Sequence, residues 1–149
     1  MPKISKNASV TLSLVCCGIG FLGLIAMAIL LPAYLPKAHG AVYGESLPPL
    51  LVALAYVYLV PVAVADGFLV KLLLLIKGHQ VFTDRVVSCL RTISWCCFIE
   101  AGLLCLGIVY FRLLPVLAFV AGFLGLVLRV VKNVIEEAVA LKAENDFTI

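Results

Sequence analysis

Apolar residues in this chain neither alternate nor recur on one face; they run on without a break. No charge occurs between Lys6 and Lys37, and from Val10 to Leu31 only Thr11 and Ser13 interrupt the apolar character. A helix needs about 20 such residues to cross a hydrocarbon core ~30 Å thick, so 10–31 predicts a first membrane span. Three further runs, at about 50–76, 86–109 and 113–131, predict three more. Pro32, Pro36, Gly40, Gly44, Pro48 and Pro49 mark an irregular loop after the first span. Pro48 and Pro49 suit the first turn of the second helix, and Gly78 suits its C-terminal cap.

The turn KGHQVFTDR then leads into the third span. Thr83 is placed to cap it, Asp84 to meet the positive end of the helix dipole, and Phe82 to pack on Val87. YFRLLP reads as a tight reversal. Val131, Val134, Ile135, Ala138 and Leu141 keep one apolar stripe at helical spacing, so the fourth helix is expected to continue to about Lys142. The tail AENDFTI has no run of its own. The expected fold is an all-α integral membrane protein with a single domain, a four-transmembrane-helix bundle. Helix four extends into the cytoplasm, with 132–149 as extension and tail.

Composition agrees with the pattern. Hydrophobic residues make up 64% of the 149 residues and charged residues 13%, where soluble domains run near ~25% charged. A soluble domain of this length has no core large enough for that much apolar surface. The basic start MPKISK resembles a signal peptide, but the run behind it is longer than a typical h-region and no A-x-A site follows. LVCC resembles a lipoprotein cleavage box only loosely, comes too early, and lacks a small residue before the cysteine. The expectation is an uncleaved first span.

Charge changes the picture through its distribution. With both termini on one side, that side collects Lys3, Lys6, Lys71, Lys77, Arg85, Arg91, Arg129, Lys132 and Lys142, against Lys37 and Arg112 opposite. Short loops obey the positive-inside rule, which predicts a multi-pass protein of a bacterial cell (inner) membrane with both termini cytoplasmic. The net charge of +3 is too small to suggest direct nucleic-acid binding.

The candidate chemistry lies in the spans. Asp66, in VADGFLVK, falls ~15 Å from the inner end of span two, and Glu100 falls ~21 Å into span three. Both side chains are too short to reach an interface, and a charge at the centre of a span costs about 2.5–3.5 kcal/mol. Each acid is therefore expected to face the interior, either clamping helices together or serving an ion pathway. Lys71 and Arg91 lie nearer the inner boundary, where long side chains snorkel to the headgroups. Pro61 and Gly67 predict a break in helix two beside Asp66.

Small residues at Ala118/Gly122, Ala121/Gly125 and Cys16/Gly20 mark close-packing faces, compatible with internal packing or with a homo-oligomer. Cys16, Cys17, Cys89, Cys96, Cys97 and Cys105 all lie in apolar runs, with no CxxC and no zinc spacing. Ile93, Cys96, Cys97, Glu100, Leu103, Leu104 and Gly107 share a face, which reads as interior packing ahead of a soft-metal site. His39 and His79 both fall in loops. No nucleophile, base and orienting group occur together, so no enzymatic activity, metal or cofactor is expected.

Two segments, GHQVFTDRVVSCLRTI (78–93) and IEEAVALKAENDFTI (135–149), resemble the YoaS-like family of small bacterial four-span membrane proteins, a domain of unknown function. The matching residues are Phe82, Thr83, Leu90, Arg91, Ile93, Glu144, Asn145, Asp146, Thr148 and Ile149, with Phe147 in place of the usual leucine. The resemblance implies a partner, a small helix-turn-helix regulator of the Xre type. Phe82, Thr83, Arg85, Glu144, Asn145, Asp146, Phe147 and Ile149 would form the cytoplasmic docking surface. The expected function is a non-enzymatic regulator binding or sequestering such a protein; a small ion, proton or solute transporter component using Asp66 and Glu100 is the alternative.

Overall fold

Each apolar run becomes one helix. The computed structural model describes residues 6–44 and 46–148, with side chains from Ala8 onward. The helices are α1 (Lys6–Tyr43), α2 (Pro49–Lys77), α3 (Asp84–Leu106) and α4 (Leu114–Phe147). All four are long and apolar enough to cross a membrane. Lys3, the side chain of Lys6 and Ile149 lie outside the described residues.

The helices pack in series. α1 lies against α2, α2 against α3 and α3 against α4, and no other pair of helices comes as close among the described residues. The bundle is therefore open, and α1 is its outermost member. Leu72 of α2 and Val86, Cys89, Leu90 and Ile93 of α3 form the tightest core, with Phe68, Ile76, Leu128 and Ile135 packed around them. That core sits at the end where α2 turns into α3. Elsewhere most large apolar side chains face outward, as expected when the solvent is hydrocarbon.

Two expected irregularities are absent. The loop expected from Pro32 is helix as far as Tyr43. Each proline forfeits one backbone hydrogen bond, and the helix tolerates that loss twice without ending. The helix stops at Gly44, whose φ of 72° is left-handed and whose N–H reaches the Gly40 carbonyl at 3.0 Å. α2 likewise continues as helix through Pro61 and Gly67, so the irregularity expected there does not end the helix.

The turn between α2 and α3 also departs from expectation in detail. Gly78 caps α2 with φ −78°, and the left-handed residue is His79 at φ 60°. His79 N–H bonds the Ile76 carbonyl and Gln80 N–H the Leu75 carbonyl, a paired closure that satisfies the helix end. Thr83 precedes α3 in extended conformation, but its hydroxyl donates to the Gln80 carbonyl at 3.1 Å and does not cap the helix. The Val86 N–H it would have accepted bonds the Thr83 backbone carbonyl instead, at 3.0 Å. At the other end α3 stops at Leu106, where Tyr58 and Leu114 crowd Gly107; a Cβ there would lie 2.6 Å from both. α4 continues beyond Lys142 to Phe147, so most of AENDFTI is helical.

Candidate functional site

Asp66 is half-buried and faces α1. Its Oδ1 lies 4.0 Å from where a Cβ on Gly20 would stand, and its carboxyl is close enough to the Cys17 thiol to interact electrostatically. Gly20 thus lets the acid approach the α1 backbone. Among the described residues, α1 is otherwise held to α2 by little that is polar. Ten residues further out, the Tyr56 hydroxyl donates to the Ala28 carbonyl at 2.9 Å. Of the expected Cys16/Gly20 pair, Cys16 is exposed and Cys17 is the buried thiol.

Glu100 faces a different interface. Its Oε2 is buried without a hydrogen-bond partner, as is the Tyr58 hydroxyl of α2, and the two groups are close enough to interact electrostatically. Tyr58 also lines an apolar cavity of about 250 Å³ with Leu35, Leu51, Phe111, Leu114 and Leu117. His39, expected in a loop, lies on α1 at this end, buried, stacked on Tyr43 (4.9 Å between centroids) and edge-on to Phe111 (5.5 Å). It was misplaced because the helix outruns its prolines. The two acids therefore serve separate contacts, Asp66 between α1 and α2, Glu100 between α2 and α3.

The face of α3 carrying the thiols packs inward. Cys89, Ile93, Cys96 and Leu104 are buried. Gly125 and Gly122 on α4 meet this helix: Cβ atoms there would fall 3.3 Å from Cys97 Cβ and 3.8 Å from Ala101 Cβ. The close approach lets the buried Ser94 hydroxyl donate to the Gly125 carbonyl at 2.8 Å. In this chain the small residues of α4 make an intramolecular contact. Among the described residues, no three of His, Cys, Asp and Glu converge as metal ligands.

The structure also assembles a cluster that sequence reading missed. Arg91, Ser94 and Trp95 of α3 and Arg129 and Lys132 of α4 line one cleft of about 50 Å³. The Arg129 guanidinium lies over the Trp95 ring at 5.4 Å and near Phe98 at 6.0 Å. Glu136 accepts from Lys132 at 2.7 Å and from Arg91 at 3.5 Å. The Lys132 hydrogen bond, with Arg91 assisting, holds the Glu136 carboxyl below its ordinary range. Arg91 with Trp95, and Arg129 with Lys132, share helix faces at spacings of four and three residues. Which face meets which is decided only by packing. Lys71 on α2 takes no part; its ammonium lies 5.8 Å from the Phe68 ring.

At the turn between α2 and α3, Phe82 is half-exposed. It shares a shallow groove with Ala138, Leu141, Lys142 and Asn145 of α4. Glu144, Asp146 and Phe147 are exposed beyond this groove, and Arg85 is exposed on its other side. The Thr148 hydroxyl donates to the Glu144 carbonyl at 2.7 Å, closing the helix end. The two family-like segments, 63 residues apart at Phe82 and Asn145, are neighbours in space.

Comparison with curated proteins and with solved structures gives no match. A family model does match, over residues 8–149, so nearly every feature described above lies within it. With four apolar helices and a match of that extent, the chain belongs to the family described as Protein of unknown function (DUF2975).

Proposed function

We propose that this chain is a non-enzymatic regulatory protein of a bacterial cell membrane, with both termini cytoplasmic. It binds or sequesters a small cytoplasmic helix-turn-helix protein. The supporting observation is the groove in which Phe82 of the inner turn meets Asn145 of α4, joining the two segments that suggest a YoaS-like relative. Glu144 and Asp146 offer charge to a basic surface, and Phe147, 90% exposed, offers an apolar anchor. A groove this small needs both segments to reach useful affinity.

Asp66 and Glu100 act in this reading as polar contacts that fix helix pairing. A transport pathway through both acids gains nothing from their placement on separate interfaces. The test is capture of an Xre-type regulator encoded beside this gene, using the full chain and a chain ending at Leu141. Capture by the full chain and loss with the shortened one is expected. Equal capture by both removes α4's end from the mechanism, and capture by neither removes the function.

A further inference from the structure

The cleft of Arg91, Trp95, Arg129 and Lys132 has more positive charge than the chain itself answers. Glu136 is the one acid paired there, and among the described residues Arg129 enters no ion pair. Arg129 is instead held by two aromatic rings, an attractive contact that leaves its N–H groups without an anion. Lys132 has a side chain only 14% exposed. Glu136 already answers that charge at 2.7 Å, so, among the described residues, the cation between the helices that lacks an anion is Arg129. The volume, about 50 Å³, exceeds the ~10–15 Å³ one water needs and suits a group of phosphate size.

The position along the helices identifies the source of that anion. Lys71, Arg91 and Arg129 lie at one level, since Leu72 packs with Leu90 and Gly125 packs with Cys97. From Pro49, where α2 begins, to Lys71 is 22 residues, or about 33 Å of helix. That rise matches a hydrocarbon core ~30 Å thick. The cleft therefore lies where headgroups lie, and Trp95, 53% exposed beside it, has the amphipathic ring that interfaces favour. Arg guanidinium groups match phosphate oxygens in geometry, and Lys adds a point charge.

We propose that this cleft binds the phosphodiester of an anionic phospholipid, with Arg129 and Lys132 as the main contacts and Arg91 completing the site by releasing its long pairing with Glu136. Basic clefts between helices at the inner surface take such headgroups. The inference is independent of the regulatory reading.

Trp95 is the only tryptophan in the chain, so it reports on the wild-type protein directly. In phosphatidylcholine nanodiscs containing 10% brominated lipid, brominated phosphatidylglycerol should quench Trp95 several-fold more than brominated phosphatidylcholine. Arg129→Gln with Lys132→Gln should abolish the difference, while Lys71→Gln, at the same level on α2, should leave it unchanged. Arg129→Lys, which keeps the charge and a folded protein, should retain part of it. Equal quenching by both lipids in the wild type overturns the proposal. So does equal loss with Lys71→Gln, which would mean unspecific attraction. Relief of the quenching by millimolar inorganic phosphate would assign the cleft to a soluble anion and overturn the lipid.

Discussion

Leu90 on α3 and Leu22 on α1 are the same side chain in the same kind of helix, yet Leu90 is 4% exposed and Leu22 67%. The difference runs through the molecule. Around Leu90, three helices enclose a core in which Val86 and Cys89 are 1% exposed. Around Leu22, one helix lies along one neighbour, joined by Asp66 near Cys17 and Gly20 and by Tyr56 at Ala28. In lipid an exposed leucine carries no penalty, so association rests on close packing and a few polar contacts. The inner half of α2–α4 has both; α1 has mainly the second.

Paired substitutions break or sharpen this contrast. Leu90→Ala should cost about 2–5 kcal/mol in reversible unfolding in bicelles, because it leaves a cavity. Leu22→Ala should stay within about 0.5 kcal/mol. Comparable losses at the two positions would mean that α1 is packed against something further. Gly125→Val comes next. Its new Cβ meets Cys97 and Phe98 at 3.3 Å, so a loss of about 1–3 kcal/mol is expected. Gly23→Val, with nothing within 4 Å, should be silent in the same assay.

Smaller effects probe the polar contacts. Asp66→Asn keeps the size and the hydrogen-bonding capacity beside Cys17 and Gly20, so stability should fall by less than about 1 kcal/mol. If reconstituted protein showed cation or proton flux that this change abolished, the polar-contact role of Asp66 would be wrong. His79→Gly should raise stability by about 0.5–1 kcal/mol, since His79 holds a left-handed φ of 60° that glycine adopts freely. A loss there would show that the imidazole makes a contact worth more than the strain.

The number of helices and their approximate bounds were legible because apolar runs of span length have few other uses. Reading Pro32 and Pro36 as part of a loop failed because a proline costs a long helix one backbone hydrogen bond and need not end it. Thr83 was read correctly as the residue before α3 and wrongly as its side-chain cap: the Val86 and Val87 N–H groups bond the Thr83 backbone carbonyl, and the hydroxyl donates to Gln80. Both acids were legible as interior groups, because no short carboxylate can reach an interface from there.

By itself, then, the sequence determined how many helices form, roughly where each begins and ends, and which side chains cannot face lipid, because these follow from length and transfer free energy residue by residue. Only the tertiary structure decided which faces meet. It placed α1 against α2 alone, set Asp66 and Glu100 on different interfaces, brought Phe82 to Asn145, and closed Arg91 and Trp95 upon Arg129 and Lys132. Those pairings depend on the rotation of each helix about its axis. An almost uniformly apolar helix carries little in its own sequence to set that angle; close packing at residues such as Gly125 sets it instead.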